Sequence, residues 1–319
     1  MDRPLFALFA RDFRPSVLQE IAALVRLLLR HGARLQFCPE LYDLLSAPGA
    51  LSDSPDADSI LPADCCERAD RPSPRAKAIV SIGGDGTFLQ AACWNGSLGI
   101  PMAGLNGGHL GYLTSWRLGE YEAFARAMLE DDYAVEHRGL IEVEADGFSE
   151  GEWPYALNEV ALLKENTASM ISVQTRINAE YLTDYLGDGL IVATPTGSTG
   201  YNLSVGGPIL EPNLRAWVLS PVAPHSLNMR PLVVGSESEL TLQARSRSGK
   251  FLLSLDGRSF SFPSGSTLAV RRARFTIPVI RSRGLSFSRR VREKLLWGIS
   301  PADSQASSPD QTSSPDRAF

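Results

Sequence analysis

An α/β amino-terminal domain built on a parallel, Rossmann-like sheet, followed by a mostly β, sandwich-like carboxyl-terminal domain, is the fold this sequence predicts. Three observations carry it. Residues 4–38 read as strand, helix and strand. Residues 77–90 pack a buried strand, a glycine turn and a helix start into one run. From about residue 134, helical spacing gives way to short strand-like runs parted by turn residues. A chain of 319 residues exceeds the usual single-domain size. The expected division is 1–132 for the α/β domain, with 281–299 packing back on it, 133–280 for the β domain, and 300–319 as a disordered tail rich in Ser, Pro and Asp.

Residues 4–10 form the first predicted strand. Residues 17–30 form a helix, with Val17, Ile21, Leu24, Val25, Leu28 and Leu29 on one side and Gly32 closing it. Residues 34–38 supply the next strand, and such a β-α-β opening implies parallel pairing with a right-handed crossover. Residues 47–75, with Pro, Ser, Asp and Ala and little periodicity, read as a long surface loop.

The sheet resumes at Ala78–Ile82, an apolar, β-branched run that suits a strand covered on both faces. Gly83, Gly84 and Gly86 follow at once, and Thr87 begins a helix. Bare N–H groups at a helix start form a ready anion site, with phosphate the usual anion. Asp85 is then the odd residue. A carboxylate repels phosphate, so Asp85 reads as a proton acceptor or a partner of a metal. A P-loop would need a Lys after these glycines, and the dinucleotide fingerprint a third Gly where Leu89 stands.

Residues 100–105 form another strand and lead into a second Gly-rich loop, 106–114, which contains His109. Ligands of open α/β sheets sit beyond the carboxyl ends of strands, so the two loops are expected to face one ligand. Residues 118–130 carry helical spacing. Runs at 138–144, 155–163, 171–177, 239–244, 251–256 and 267–270 read as strands, and 275–280 with 291–297 return to mixed strand and helix. Within the β domain, Leu190 to Ala193 is an apolar strand, and residues 194–204 are almost all hydroxyl, glycine and amide. Many small donors and acceptors without net charge suit a hydroxyl-rich ligand such as a sugar nucleotide.

A formal charge of −5 argues against non-specific nucleic-acid binding, though not against a local basic pocket. No apolar run approaches the roughly 18–20 residues of a membrane span, and residues 5–10 are too short for a secretory signal. A cytoplasmic protein without a membrane partner is the expectation. Cys38, Cys65, Cys66 and Cys93 share no zinc-like spacing and read as reduced thiols; His31, His109, His137 and His225 show no ligand spacing either. No metal site made by the protein alone is expected.

Four blocks occur in order: Gly83-Gly-Asp-Gly-Thr87; Asn158-Glu159; Gly187-Asp-Gly189 with Thr194-Pro-Thr-Gly-Ser-Thr-Gly-Tyr201; and residues 221–233 around His225. With Asp256-Gly257 and residues 292–297 they span most of residues 3–297. In this order they resemble the NAD kinase family, which phosphorylates the adenosine-ribose 2′-hydroxyl of NAD to give NADP. The resemblance implies NAD held between the two domains, ATP or polyphosphate as donor, Mg²⁺ or another divalent cation on the donor's phosphates, and a homodimer or homotetramer.

Carried onto matching positions, Asp85 would be the general base, and Gly84 and Gly86 would let the backbone meet the phosphates. Asn158 and Glu159 would contact the nucleotide, and Asp188 would lie near the nicotinamide. Ser169, Thr199, Gly200, Tyr201, Asn202, Leu203 and Ser204 would line the nucleotide, with Asp256 and Arg258 completing the site. Strand alternation would put Asn158 and Glu159 on opposite faces, so an irregularity is expected there. Tyr201 reads equally as a core aromatic, and His225 as a structural histidine. Gly200 stands where many members have Ala, Leu186 where some have a polar residue, and Arg258 where Gln is common; the choice between NAD and NADH stays open. A lipid or sugar kinase sharing the glycine turn is the second reading, but it has no use for residues 194–204. A non-catalytic NAD(P) sensor is the third, and the intact Asp85 argues against it.

Overall fold

The computed structural model describes residues 3–47, 61–108, 111–165, 169–284, 286–295 and 297. In its first half the elements are β1 (Leu5–Ala10), α1 (Pro15–Arg30), β2 (Arg34–Phe37), α2 (Pro39–Ser46), β3 (Cys66–Arg68), β4 (Ala78–Ile82), α3 (Asp85–Asn95), β5 (Met102–Asn106), β6 (Trp116–Arg117) and α4 (Tyr121–Glu130). Pro15 opens α1, where its missing N–H leaves nothing unpaired, and Val17, Ile21, Leu24, Val25 and Leu28 bury one face. Gly32, at φ 77°, ends it in the left-handed region.

Strands β3-β2-β1-β4-β5 pair in parallel in that order, and all five residues of β4 are buried. Of the stretch expected to be loop, residues 48–60 lie outside the described residues, while Cys66–Arg68 pairs with β2 as β3. Three residues are too few to show a period. The short α2, also unforeseen, starts at a proline and turns Leu41 and Leu45 inward. The expected tail, 300–319, lies outside the described residues.

The second half contributes β7 (Ala134–Ala145), β8 (Tyr155–Ala156), β9 (Glu159–Lys164), β10 (Ile171–Ile177), β11 (Glu180–Gly187), β12 (Gly189–Ala193), α5 (Tyr201–Ser204), β13 (Ala216–Val222), β14 (Leu232–Gly235), β15 (Leu240–Ser246), β16 (Lys250–Leu255), β17 (Arg258–Pro263) and β18 (Thr267–Arg281). The long β18 is the seam. It pairs antiparallel with β15 and β7, and near its end Val279 pairs in parallel with Met102 of β5. One sheet therefore runs β11-β10-β15-β18-β5-β4-β1-β2-β3 through both halves.

A second, antiparallel sheet has the order β14-β13-β12-β9-β16-β17. Val173, Tyr185 and Leu242 of the first sheet share a core with Leu162, Val192, Trp217 and Phe251 of the second, which is the sandwich the sequence predicted. Pro221 is tolerated in β13 because it lies beyond the last β13–β14 pair, Leu219 with Leu232. Residues up to Arg283 form one compact unit, and α6 (Phe287–Leu295) belongs to another, with Arg289 and Glu293 paired one turn apart at 2.6 Å. Among the described residues no helix is long and apolar enough to cross a membrane. All four cysteines are free, and burial pushes the Cys66 thiol up to about 12, which makes it inert.

Close packing of the second sheet is tightest at Gly189, where a Cβ would fall 2.3 Å from the Leu162 carbonyl oxygen. Gly189→Ala should force β9 and β12 apart and lower stability by about 1–3 kcal/mol. A thermal unfolding midpoint equal to that of the unsubstituted chain would contradict this.

Candidate active site

The turn after β4 is shaped by what its glycines leave out. Gly83 sits at φ 147°, and a Cβ there would lie 2.4 Å from Thr87 Oγ1. Gly84 and Gly86 differ: a Cβ on either would meet nothing within 4 Å, so they border open space at the start of α3. Asp85 turns across to the second Gly-rich loop. Its carboxylate accepts the Tyr112 N–H at 2.7 Å and the Leu113 N–H at 3.0 Å. Gly111 permits this approach, since a Cβ there would fall 1.9 Å from Asp85 Oδ1. The two loops thus meet, with His109 outside the described residues.

The second cluster hangs on Asp256, which turns the chain between β16 and β17 at φ 50°. Its carboxylate accepts the N–H groups of Leu157 at 2.6 Å, Asn158 at 2.8 Å and Glu159 at 3.1 Å. These three bonds satisfy the backbone where the ladder breaks between β8 and β9, which is the irregularity the alternation argument required. Thr194 holds the same bend from the other side: its N–H donates to the Asn158 carbonyl at 2.8 Å and its hydroxyl to the Leu157 carbonyl at 2.6 Å. As a result both Asn158 and Glu159 side chains approach Gly200. A Cβ on Gly200 would lie 3.0 Å from Glu159 Oε2 and 3.5 Å from Asn158 Nδ2, so glycine here leaves room at the Glu159 carboxylate. Asn158 Oδ1 and Glu159 Oε2 are both shut off from solvent and have no hydrogen-bond partner. Buried acceptors in that state are exceptional in a finished fold.

Other predicted residues fall out differently. Asn202 is fully buried and spent within the protein: its Nδ2 donates to the Ser198 and Pro208 carbonyls, and its Oδ1 accepts from Ser220 Oγ at 2.6 Å. Its side chain shapes the turn. Thr199 ends the short 3-10 turn before α5, and Tyr201, 38% exposed, is not a core aromatic. Leu203 is half-buried and Ser204 exposed on α5. Arg258 donates to the carbonyls of Trp153 at 2.7 Å and Tyr155 at 2.5 Å, bracing the strand before the bend.

Asp188 and Ser169 stand apart from this cluster within the chain. Asp188 is paired with Lys164 Nζ at 2.7 Å, next to the Gly189–Leu163 end of the β12–β9 ladder, whereas Glu159 pairs with Ala193 at the other end. At about 3.3 Å per residue the ladder alone separates the two ends by roughly 13 Å. Ser169 lies with Leu186 in a groove on the β10–β11 side.

A buried polar chain that no motif announced joins the two loops. Arg281, 2% exposed at the end of β18, donates to the Tyr112 carbonyl at 3.1 Å and to Ser115 Oγ at 3.2 Å. It also pairs with Glu136 at 3.2 Å. Two residues along β7, on the same face, Arg138 pairs with that same Glu136 and reaches Thr196 Oγ1 at 3.4 Å. Glu136 therefore shares its one charge between two guanidinium groups, one bracing the loop around Asp85 and the other the turn beside Asn158. Glu136→Gln should leave both under-compensated and cost about 3–5 kcal/mol. An unshifted midpoint in chemical denaturation would refute that.

Charge in the second cluster depends on pH. Burial, followed by repulsion from Asp256, pushes Glu159 up to about 8, against a smaller opposing pull from the Tyr201 N–H. Burial raises Asp256 as well, but the N–H groups of Leu157, Asn158 and Glu159 oppose it, so of the two Asp256 keeps the charge and Glu159 the proton. Between pH 4.5 and about 8 the folded chain holds a proton on Glu159 that the unfolded chain has released. This contribution is full below that window and is lost as pH rises through it. Denaturation measured across these pH values should show stability falling with pH, and Glu159→Gln should flatten the slope; an equal slope in both chains would count against the shift.

Known proteins resemble this chain in sequence and in fold. The profile of the ATP-NAD kinase N-terminal domain matches residues 8–133, and that of the ATP-NAD kinase C-terminal domain matches residues 157–282. The chain is 40% identical over 293 residues to an NAD kinase of Bacteroides fragilis, covering 92% of this chain and 98% of that one. With an NAD kinase of Porphyromonas gingivalis it shares 46% over 220 residues, 69% of this chain and 76% of the other. In fold it is similar to yeast NADH kinase complexed with NADH, with a TM-score of 0.79 at 22% identity over 94% of this chain and 89% of that one. It is also similar to an NAD kinase from Archaeoglobus fulgidus in complex with ATP, with a TM-score of 0.65 at 25% identity over 88% and 94%. With both domain profiles matched and a relative of this identity covered almost end to end, the chain belongs to the NAD kinase family.

Proposed function

We propose that the chain transfers the γ-phosphoryl group of ATP to the 2′-hydroxyl of the adenosine ribose of NAD, with Asp85 as the general base. The observation that carries this reading is the two buried, unpartnered acceptors, Asn158 Oδ1 and Glu159 Oε2, on side chains that both approach Gly200. An adenosine would satisfy both: an amide pairs with an adenine edge, and a carboxyl accepts from ribose hydroxyls or, while protonated, donates. Asp85 carries one N–H on each oxygen and retains acceptor capacity for the 2′-hydroxyl proton. In the transfer the bond from the γ-phosphorus to the β,γ-bridging oxygen breaks, a bond to the 2′-oxygen forms, Asp85 takes the proton, and ADP leaves.

Among the described residues no three His, Cys, Asp or Glu side chains gather into a metal cage. A divalent cation such as Mg²⁺ would be carried by the donor's phosphates, with Asp85 the carboxylate at the helix start beside them. Bound there, Mg²⁺ would neutralise charge on the phosphoryl oxygens. The relative solved with ATP supports ATP as donor. The free thiols agree with a cytoplasmic location, and exposed Met170, Tyr181 and Leu186 support self-association as a homodimer or homotetramer.

ATP, Mg²⁺ and NAD incubated with the protein should yield NADP, read by coupling to an NADP-specific dehydrogenase. No product with any divalent cation would end the proposal. Asp85→Asn should lower kcat by about 10²–10⁴-fold, with NADP binding by calorimetry little changed; undiminished turnover would remove Asp85 from the role of base.

A further inference from the structure

Beside the Thr194 turn lies a cavity of about 270 Å³ that none of Asp85, Asn158, Glu159 or residues 199–204 lines. Its walls come from β7, β18, the start of β13 and the turn after β14, and Thr194 and Pro195 complete them. The charge of this lining has one sign. Arg215, Arg272 and His137 line the cavity, and among the described residues no Asp or Glu does. The chain as a whole carries −5, so the cavity is a local exception.

The polar groups there have capacity left. Arg215 is exposed and has no ion-pair partner among the described residues. Arg272 is held by Glu237 at 2.5 Å and keeps further N–H groups. Ser236, 6% exposed, lines the cavity too, and its Oγ is buried without a hydrogen-bond partner. Buried hydroxyls are rarely left so.

We propose that this cavity is a second binding site, taking the phosphate or carboxylate group of a small metabolite, and that its occupancy is felt at the Asn158–Glu159 bend. The proposal goes beyond the phosphotransferase reading, and its binding half does not need that reading. A guanidinium matches either oxyanion with two parallel N–H bonds. The volume falls just short of the roughly 300–1,000 Å³ of drug-sized sites, so the ligand is much smaller than a dinucleotide.

Thr194 is the link to the bend. It lines the cavity, and its N–H and hydroxyl hold the Asn158 and Leu157 carbonyls at 2.8 and 2.6 Å. Pro195 follows, also in the lining, and then Thr196, whose hydroxyl meets Arg138 at 3.4 Å. Strand alternation puts His137 on the face of β7 opposite Glu136 and Arg138, so β7 separates the cavity from the buried arginine chain. An anion held by the arginines against Thr194 restrains the turn that sets the bend. By linkage, whatever favours the bend favours the substrate that needs it.

Inorganic phosphate and succinate, titrated by calorimetry into the substrate-free protein, test the site. At least one should bind, and the tighter of the two names the group. Arg215→Glu should weaken that binding about tenfold or more. Arg26→Glu, the same charge change at an exposed position of α1 outside the cavity, should leave it unaltered. Arg215→Ser decides the matter should Arg215→Glu not fold. At saturating ATP the tighter anion should lower KM for NAD about fivefold in the unsubstituted chain. In Arg215→Glu it should change KM for NAD by less than about twofold, from an unaltered starting value. Binding of neither anion, binding that survives both Arg215 variants, or a KM for NAD indifferent to the anion overturns the assignment. Absence of NADP formation would instead overturn the kinase reading and leave the calorimetry to decide the site.

Discussion

The second cluster depends first on one carboxylate. Asp256 accepts three successive N–H groups, those of Leu157, Asn158 and Glu159, at a point where β8 and β9 would otherwise run on as one strand. A continuous strand would throw the Asn158 and Glu159 side chains to opposite faces. With the bend held, both approach Gly200, and the Thr194 turn closes over the same backbone. The tightness is visible at Gly197, where a Cβ would sit 2.1 Å from the Asn158 carbonyl oxygen. A backbone so constrained cannot relax to pair the orphaned side-chain oxygens.

The second constraint is the way the two halves are tied. A sheet shared through β18 fixes the strands but not the loops at their ends, and both site loops lie at strand ends. The Arg281–Glu136–Arg138 chain supplies the missing link, with Tyr112 and Ser115 at one end and Thr196 at the other. Two arginines, 1% and 2% exposed, are costly to bury. A hydrophobic replacement would pack β7 and β18 equally well, yet it could not hold a backbone carbonyl beside Asp85 and a hydroxyl beside Asn158 at once. The arrangement makes sense as a means of setting loop geometry, with stability secondary.

Much of this was legible in the chain. Three glycines around Asp85, a strand of five buried residues before them and the expected break at Asn158-Glu159 follow from backbone rules, and those rules are local. What escaped was non-local. β11 shows little alternation because it is an edge strand, with Glu180, Tyr181, Leu182 and Asp184 exposed. Glu136 and Arg281 are 145 residues apart in sequence, and with Arg138 they look like surface charges until β7 and β18 pair. Asn202 was read as a ligand contact because a buried amide and a binding amide look alike in sequence; its partners Ser198, Pro208 and Ser220 surround it only in the fold.

One carboxyl group stands at the glycine turn and two at the bend, and their environments differ. Asp256 has three N–H donors on its two oxygens and a burial that excludes water, so it has little capacity to take up a substrate proton. Glu159, raised to about 8 by burial and by repulsion from Asp256, holds a proton near neutrality and so is no base there. Asp85 has one N–H donor per oxygen, at 2.7 and 3.0 Å, and stands at a helix start where Gly84 and Gly86 leave the backbone uncovered. A proton acceptor must have a free lone pair and must stand beside the phosphorus that its hydroxyl attacks. Asp85 keeps lone pairs free beside its two N–H donors, Asp256 has spent its own on three, and Glu159 carries a proton.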